Sequence, residues 1–269
     1  MRKDIAILVS SCDKYSDVWK PFFLFFNKYW SNCPFPVYLG TNTQKYDHPG
    51  VTQIFSNKIT SWTDELETIL KQIPEKYVVI ILEDYFIYKQ VDNDFLISVA
   101  ETMDAHEAAY TKLAAFPKKY NQLWPHKPLL DNPKIGAIEK GAKYRLCLQT
   151  AMWNKEILLS LLNSDENPWQ FEINASIRSN KLPNPFLCVI PDSKINYVHG
   201  PITYHCTALT GGKWMKGAIE LCKKEGIDID ISTRPVESMK EYIYTKLYIA
   251  SPLTVRKGID YIKNRFKKK

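Results

Sequence analysis

The run YVVIIL, residues 77–82, is the most apolar strand candidate of the 269-residue chain, and it ends in two adjacent acids, Glu83 and Asp84. Neighbouring carboxylates repel, so a fold that sets them together at a strand end supplies a cation or strong donors to offset the repulsion. Hard oxygen donors with positions left for substrate phosphates suit Mg²⁺ or Mn²⁺. The plainer alternative is two acids that mark a solvated strand end. A second group with chemical promise is Lys213, behind Gly211 and Gly212 in TGGKWMKGAIELCKK. Read as the start of an amphipathic helix, its charge and the free backbone N–H groups would hold a phosphate. The spacing is not that of an ATPase P-loop, and an ordinary helix entry would look the same.

Elements around these residues alternate. IAILV (residues 5–9) turns polar at Ser10, Ser11 and Asp13, which predicts a buried strand with a loop at its carboxyl end. The aromatic VWKPFFLFFNKYW predicts a helix, PVYLGTN and VTQIFS two strands, and SWTDELETILKQIP a helix with Ser61 as cap. YVVIILEDYFI closes an α/β pattern. Further on come a helix near 93–106, a strand at 111–116, an irregular stretch from 117 to 141, a strand in YRLCLQTAMWN, helices in KEILLSLL and NPWQFEINASIRSN, and a pair of strands in FLCVIPDSKINYVHG.

The order of these features resembles GT-A glycosyltransferases: VSSCDKY stands where that family's first loop holds the nucleoside, and LEDYF where its acidic DxD-type motif binds metal and donor diphosphate. The resemblance spans roughly residues 5–215. It implies an α/β fold with a GT-A-like, Rossmann-type mixed sheet flanked by helices, and it places the nucleoside at Ser11 and Asp13. The family's usual motif has two Asp one residue apart; here Tyr85 follows Glu83-Asp84, which favours Asp84 over Glu83 as the metal ligand. The resemblance further implies Glu172 as the base that deprotonates an acceptor hydroxyl, an environment of Trp169 and Phe171 being suited to raise its pKa. The structural alternative for Glu172 is support of its helix's first turn. His199 would complete the metal site, with a purely hydrogen-bonding histidine as the alternative. Gln149 and Trp153 would meet the acceptor sugar, although a tryptophan in a strand is more often core.

The net charge of +7 is concentrated: residues 252–269 hold seven Lys or Arg against one Asp, so the rest of the chain is near neutral. A phosphate-tracking surface would be spread over the fold, which disfavours nucleic acid as a partner. Within that tail Val255, Ile259, Ile262 and Phe266 form one stripe, expected as a C-terminal helix capped at Ser251 that either packs on its own domain or lies on an anionic membrane. The six scattered cysteines, with no CxxC pair, suit a reducing, cytoplasmic setting, peripheral on the inner face of the plasma membrane if the tail binds lipid. The expected organisation is a GT-A-like domain over 1–235, nucleotide-binding to about 116 and acceptor-side after it, with a helical basic tail over 236–269.

Together these features lead to an inverting, metal-dependent glycosyltransferase of the hexosyltransferase type. It would take a nucleotide-sugar, UDP-sugar first, and a saccharide or polyprenyl-diphosphate-linked acceptor, as in bacterial surface polysaccharide assembly. A sugar-phosphate nucleotidyltransferase is the rival enzyme, but it usually carries a glycine-rich basic first loop, and SSCDKYSD has no glycine. A non-catalytic carbohydrate-binding protein of the same fold is the third alternative.

Overall fold

A strand covered on both faces needs no polar alternation, and Ile5–Ser10 and Tyr77–Leu82 are such runs: every residue from Ile5 to Ser10 and from Tyr77 to Ile81 is buried. The computed structural model describes residues 2–57, 60–116, 126–192, 194–195 and 197–250. The expected tail helix from Ser251 onward and the first part of the irregular 117–141 stretch lie outside these residues.

By compactness the chain divides after Cys206. The first unit runs β1 (Ile5–Ser10), α1 (Ser16–Tyr29), β2 (Val37–Thr41), β3 (Val51–Phe55), α2 (Trp62–Leu70), β4 (Tyr77–Leu82), β5 (Phe86–Ile87), α3 (Asn93–Ala105) and β6 (Tyr110–Lys112). It continues with β7 (His126–Pro128), β8 (Ile135–Ile138), β9 (Ala151–Asn154), α4 (Lys155–Leu161), α5 (Pro168–Arg178), β10 (Phe186–Val189) and β11 (Tyr204–His205). The second unit contains β12 (Leu209–Thr210), β13 (Lys213–Trp214), α6 (Lys216–Glu225) and α7 (Met239–Ala250). No helix among the described residues is long and apolar enough to cross a membrane.

Among the described residues nine strands form one mixed sheet in the order β3-β2-β1-β4-β9-β6-β10-β8-β7, the α/β architecture expected from the sequence. The first four run parallel, with Ser10 level with Leu82. β9 is antiparallel to both β4 and β6, and β10 is parallel to β6. The carboxyl ends of β1, β2, β4, β6 and β10 therefore open on one edge.

Helix starts follow their caps. Ser61 accepts from the Asp64 N–H, and Asn167 and Gln170 form a capping box with Pro168 in the first turn of α5. Two expectations are corrected. The strand foreseen across 144–154 is regular only from Ala151, because amides upstream bond to side chains instead of a neighbouring strand: Leu146 N to Ser176 Oγ, Cys147 N to Tyr110 Oη and Leu148 N to Glu172 Oε1. Of the strand pair foreseen after residue 185 only β10 is regular among the described residues; His199 makes an isolated bridge to Ala115.

At the opposite edge of the sheet Asp104 accepts from Lys76 and Tyr77 and pairs with Arg2 at 2.7 Å. Burial pushes its carboxyl up, but these donors outweigh burial and hold it at about 2, against an ordinary 3.8. A depressed carboxyl stabilises the fold fully above its unfolded pKa and loses that contribution as pH falls through its folded one. With Asp104 38% exposed the effect is solvent-screened and small. The Asp104→Asn variant should accordingly differ in urea midpoint from the parent at pH 7 and converge on it toward pH 2; a constant gap would count against this reading.

Candidate functional site

In an open sheet of this kind the crevice lies beyond the carboxyl ends of the strands, where the strand order reverses. From β1 the chain goes to β2 on one side, and β4 lies on the other, so the reversal falls between β1 and β4. The loops that leave these two strands carry Ser11 and Asp13, and Glu83 and Asp84. Glu83 is buried and its charge acts on Cys12, whose thiol burial and that charge push up to about 11. Thus the structure brings the two expected loops together.

Each predicted residue in the first loop is, however, committed to protein. Ser11 Oγ accepts from Trp19 Nε1 at 2.7 Å. The Asp13 carboxylate accepts from the backbone N–H of Asn42, Thr43 and Gln44 and from the Thr43 hydroxyl, while Asn42 Oδ1 accepts from Asp13 N. Burial raises the Asp13 pKa, and this ring of donors more than reverses it. Asp13 therefore braces the loop after β2 against the first loop.

The acidic turn is held from behind by residues with little sequence signature. Tyr85 stacks on Tyr204 at 4.6 Å, next to the antiparallel pairing of β5 with β11. Between the two phenols sits Gln149, which donates to Tyr85 Oη at 3.0 Å and accepts from Tyr204 Oη at 2.7 Å. Cys206 Sγ also reaches Gln149 Oε1, and the Asp84 charge acts on this thiol.

Glu172 projects from the second turn of α5 and accepts from Leu148 N at 2.7 Å. Burial raises its pKa; the Leu148 N–H and the positive charge of Lys112 pull it back without cancelling the rise. Phe171 is fully buried as expected, but Trp169 is 73% exposed and contributes nothing to that burial. Helix α5 is fixed at its far end by Arg178, which grips Glu166 through two hydrogen bonds of 2.7 and 2.6 Å. Leu148 and Gln149 are consecutive. One short segment thereby holds Glu172 by its backbone and the acidic turn by its side chain.

Other expectations separate from this cluster. His199 is buried, its Nε2 accepting from Asp192 N and its Nδ1 donating to Tyr197 O, so both ring nitrogens are spent. Lys213 lies in the strand β13 of the second unit, not at a helix start; α6 begins at Lys216, and the Lys213 ammonium pairs with Glu241 at 2.6 Å. Trp153 is core, packed on Tyr110 and Phe171. Among the described residues no three His, Cys, Asp or Glu side chains are grouped to hold a metal ion. With both ring nitrogens spent, His199 does not fit the role of completing a cation site at Asp84.

Lys112, a buried cation at this edge of the sheet, is a residue that sequence reasoning missed. A lone lysine in the apolar run AAYTKLAAF was its signature. It stands 1% exposed at the carboxyl end of β6.

No family model and no curated protein matches the chain. Solved structures do. A fragment of S. aureus TarS, residues 1–349, aligns at TM-score 0.46 and 13% identity over 77% of this chain and 61% of its own. UDP-glucose pyrophosphorylase complexed with UDP-glucose aligns at 0.45 and 8% identity, over 76% of this chain and 92% of its own. CMP:2-keto-3-deoxy-manno-octonic acid synthetase complexed with CTP aligns at 0.43 and 11%, over 70% and 90%. The chain thus spans less than two thirds of the TarS fragment.

Proposed function

We propose that the protein is a nucleotide-sugar-dependent glycosyltransferase of the GT-A-like kind, acting by inversion on a saccharide or lipid-linked saccharide acceptor. The observation that carries this reading is the Leu148-Gln149 segment, which ties the Glu172 carboxylate and the Glu83-Asp84 turn to one edge at the strand-order reversal. A base and an anion-handling acidic turn on one edge are what displacement of a diphosphate by a hydroxyl requires.

In this reading Glu172 accepts the acceptor's hydroxyl proton as that oxygen bonds to the anomeric carbon. The bond from that carbon to the donor phosphate oxygen breaks, and its electron pair leaves with the nucleoside diphosphate. Attack from the face opposite the leaving group inverts the centre. A divalent cation at Asp84, with Glu83 beside it, would supply neutralisation of the leaving diphosphate. Asp13 acts indirectly, by keeping the 42–44 loop in place for the nucleoside.

Peripheral contact with an anionic membrane is proposed for the C-terminal segment: Met239, Ile243 and Leu247 stand exposed along α7, and the basic residues follow in sequence.

Titration of the purified protein with UDP, GDP and dTDP, with and without Mn²⁺, tests the reading. One nucleotide should bind more tightly with the metal, and the Asp84→Ala variant should lose that metal-dependent gain. If none of the three binds, the reading fails. Release of pyrophosphate from a nucleoside triphosphate and a sugar phosphate would mark the nucleotidyltransferase instead.

A further inference from the structure

A lysine ammonium leaves water at a high cost, so an enclosed one sits where a negative charge or strong acceptors compensate it. Lys112 is such a group. Side chains on a strand alternate between faces, so Lys112 shares its face of β6 with Tyr110, whose ring packs on Trp153 at 4.4 Å and on Phe186 at 5.7 Å. Helix α5 covers the same face through Phe171, 6.4 Å from Trp153, and Glu172 is the next residue of that helix. Register places Lys112 level with Ala151 of β9 and Cys188 of β10. The amide that receives the Glu172 carboxylate belongs to Leu148, three residues before Ala151.

The ionisable groups whose charge states act on Lys112 come from several elements: Glu172 from α5, Cys147 from the 144–150 segment, Cys188 from β10 and Cys206 after β11, and the Phe116 ring lies 4.6 Å from the ammonium. The Glu172 charge in turn acts on Lys112, Tyr110 and Cys147. Burial pushes the thiols of Cys188 and Cys206 up to about 12 and raises that of Cys147 and the Tyr110 phenol, so these four are neutral at pH 7. Cys206, exposed as a residue, donates its thiol to Gln149 Oε1 at 3.5 Å. The carboxylate that acts on Lys112 is Glu172, while the Asp84 charge reaches Cys206.

We propose that Lys112 is the positioning residue of the Glu172 base, its enclosed ammonium holding that carboxylate ionised and seated on the Leu148 N–H. This rests on the reading of Glu172 as the base. The lysine is not consumed in the reaction: its charge opposes the burial that raises the Glu172 pKa and so favours the ionised carboxylate that takes the acceptor's proton. Burial draws Lys112 itself down to about 8 while the Glu172 charge opposes that fall, so the lysine midpoint lies within an accessible range.

The test has two arms. In the Glu172→Gln variant, the Lys112 side chain, followed by its ¹³Cε resonance, should titrate about one pH unit or more below its midpoint in the parent protein, because its anion is gone. In Lys112→Met, the acid limb of kcat/KM should move about one unit to higher pH, and Lys112→Arg should restore it. An unmoved lysine midpoint in Glu172→Gln, or an unmoved acid limb in folded Lys112→Met, overturns the proposal. Should Lys112→Met fail to fold, the lysine midpoint decides alone. That midpoint is read without turnover, so it separates the two ideas. Lost transfer with no lysine shift removes the pairing and leaves the base. A lysine shift with undiminished transfer removes the base, and with it the role assigned to Lys112.

Discussion

Glu172→Gln should bind the nucleotide as the parent does and lose transfer by a factor of about 10²–10⁴, the usual worth of a positioned base. The substitution is nearly isosteric, and an amide oxygen can still accept from Leu148 N, so the segment that also carries Gln149 keeps its place. What disappears is a group able to take a proton. Because burial raises the Glu172 pKa, the parent's kcat/KM should decline as pH falls through a value above that of an ordinary glutamate. Below it the base is protonated; above it the rate is level until another group titrates. The measurement is single-turnover transfer beside nucleotide binding by calorimetry. Undiminished transfer in the variant would remove Glu172 from the chemistry, and with it inversion assisted by this side chain.

Gly200→Ala should destabilise the protein by about 3–5 kcal/mol, far into the range reserved for specific structural faults. Gly200 has φ +142°, where an L side chain is strained, and an added Cβ would lie 2.0 Å from the Leu113 carbonyl oxygen. That oxygen is backbone at the end of β6 and cannot swing aside. Relief would have to break the bridge in which Ala115 N donates to His199 O at 2.7 Å and His199 N to Ala115 O at 2.9 Å. The neighbouring Lys112 would be disturbed with it. Urea denaturation at pH 7 reads the loss; a variant within about 0.5 kcal/mol of the parent would mean that the backbone has room there.

The histidine beside this glycine illustrates where sequence reasoning stops. A histidine at a strand end followed by Gly-Pro looks the same in sequence whether it binds a metal or caps a turn; the Asp192 N–H and the Tyr197 carbonyl decide, and both come from an irregular stretch. Asp13 is similar. Its place in the first loop was readable, but its four donors come from residues 42–44, about thirty positions away.

The sequence by itself determined that buried strands lie at residues 5–9 and 77–82, that a helix begins at the Ser61 cap, and that the chain folds as α/β. Each rests on local chemistry: continuous apolar runs make strands covered on both faces, and short polar side chains end the search for helix N–H partners. It also determined that acids leave β4 at its carboxyl end. The tertiary structure decided which side chains remain for chemistry. Strand order put Ser11 and Glu83 at one reversal, side chains rather than a strand claimed the amides of 146–148, and Lys112 ended buried on the face of β6 that Tyr110 shares. Such pairings depend on contacts between segments far apart in the chain, and no local pattern of residues encodes them.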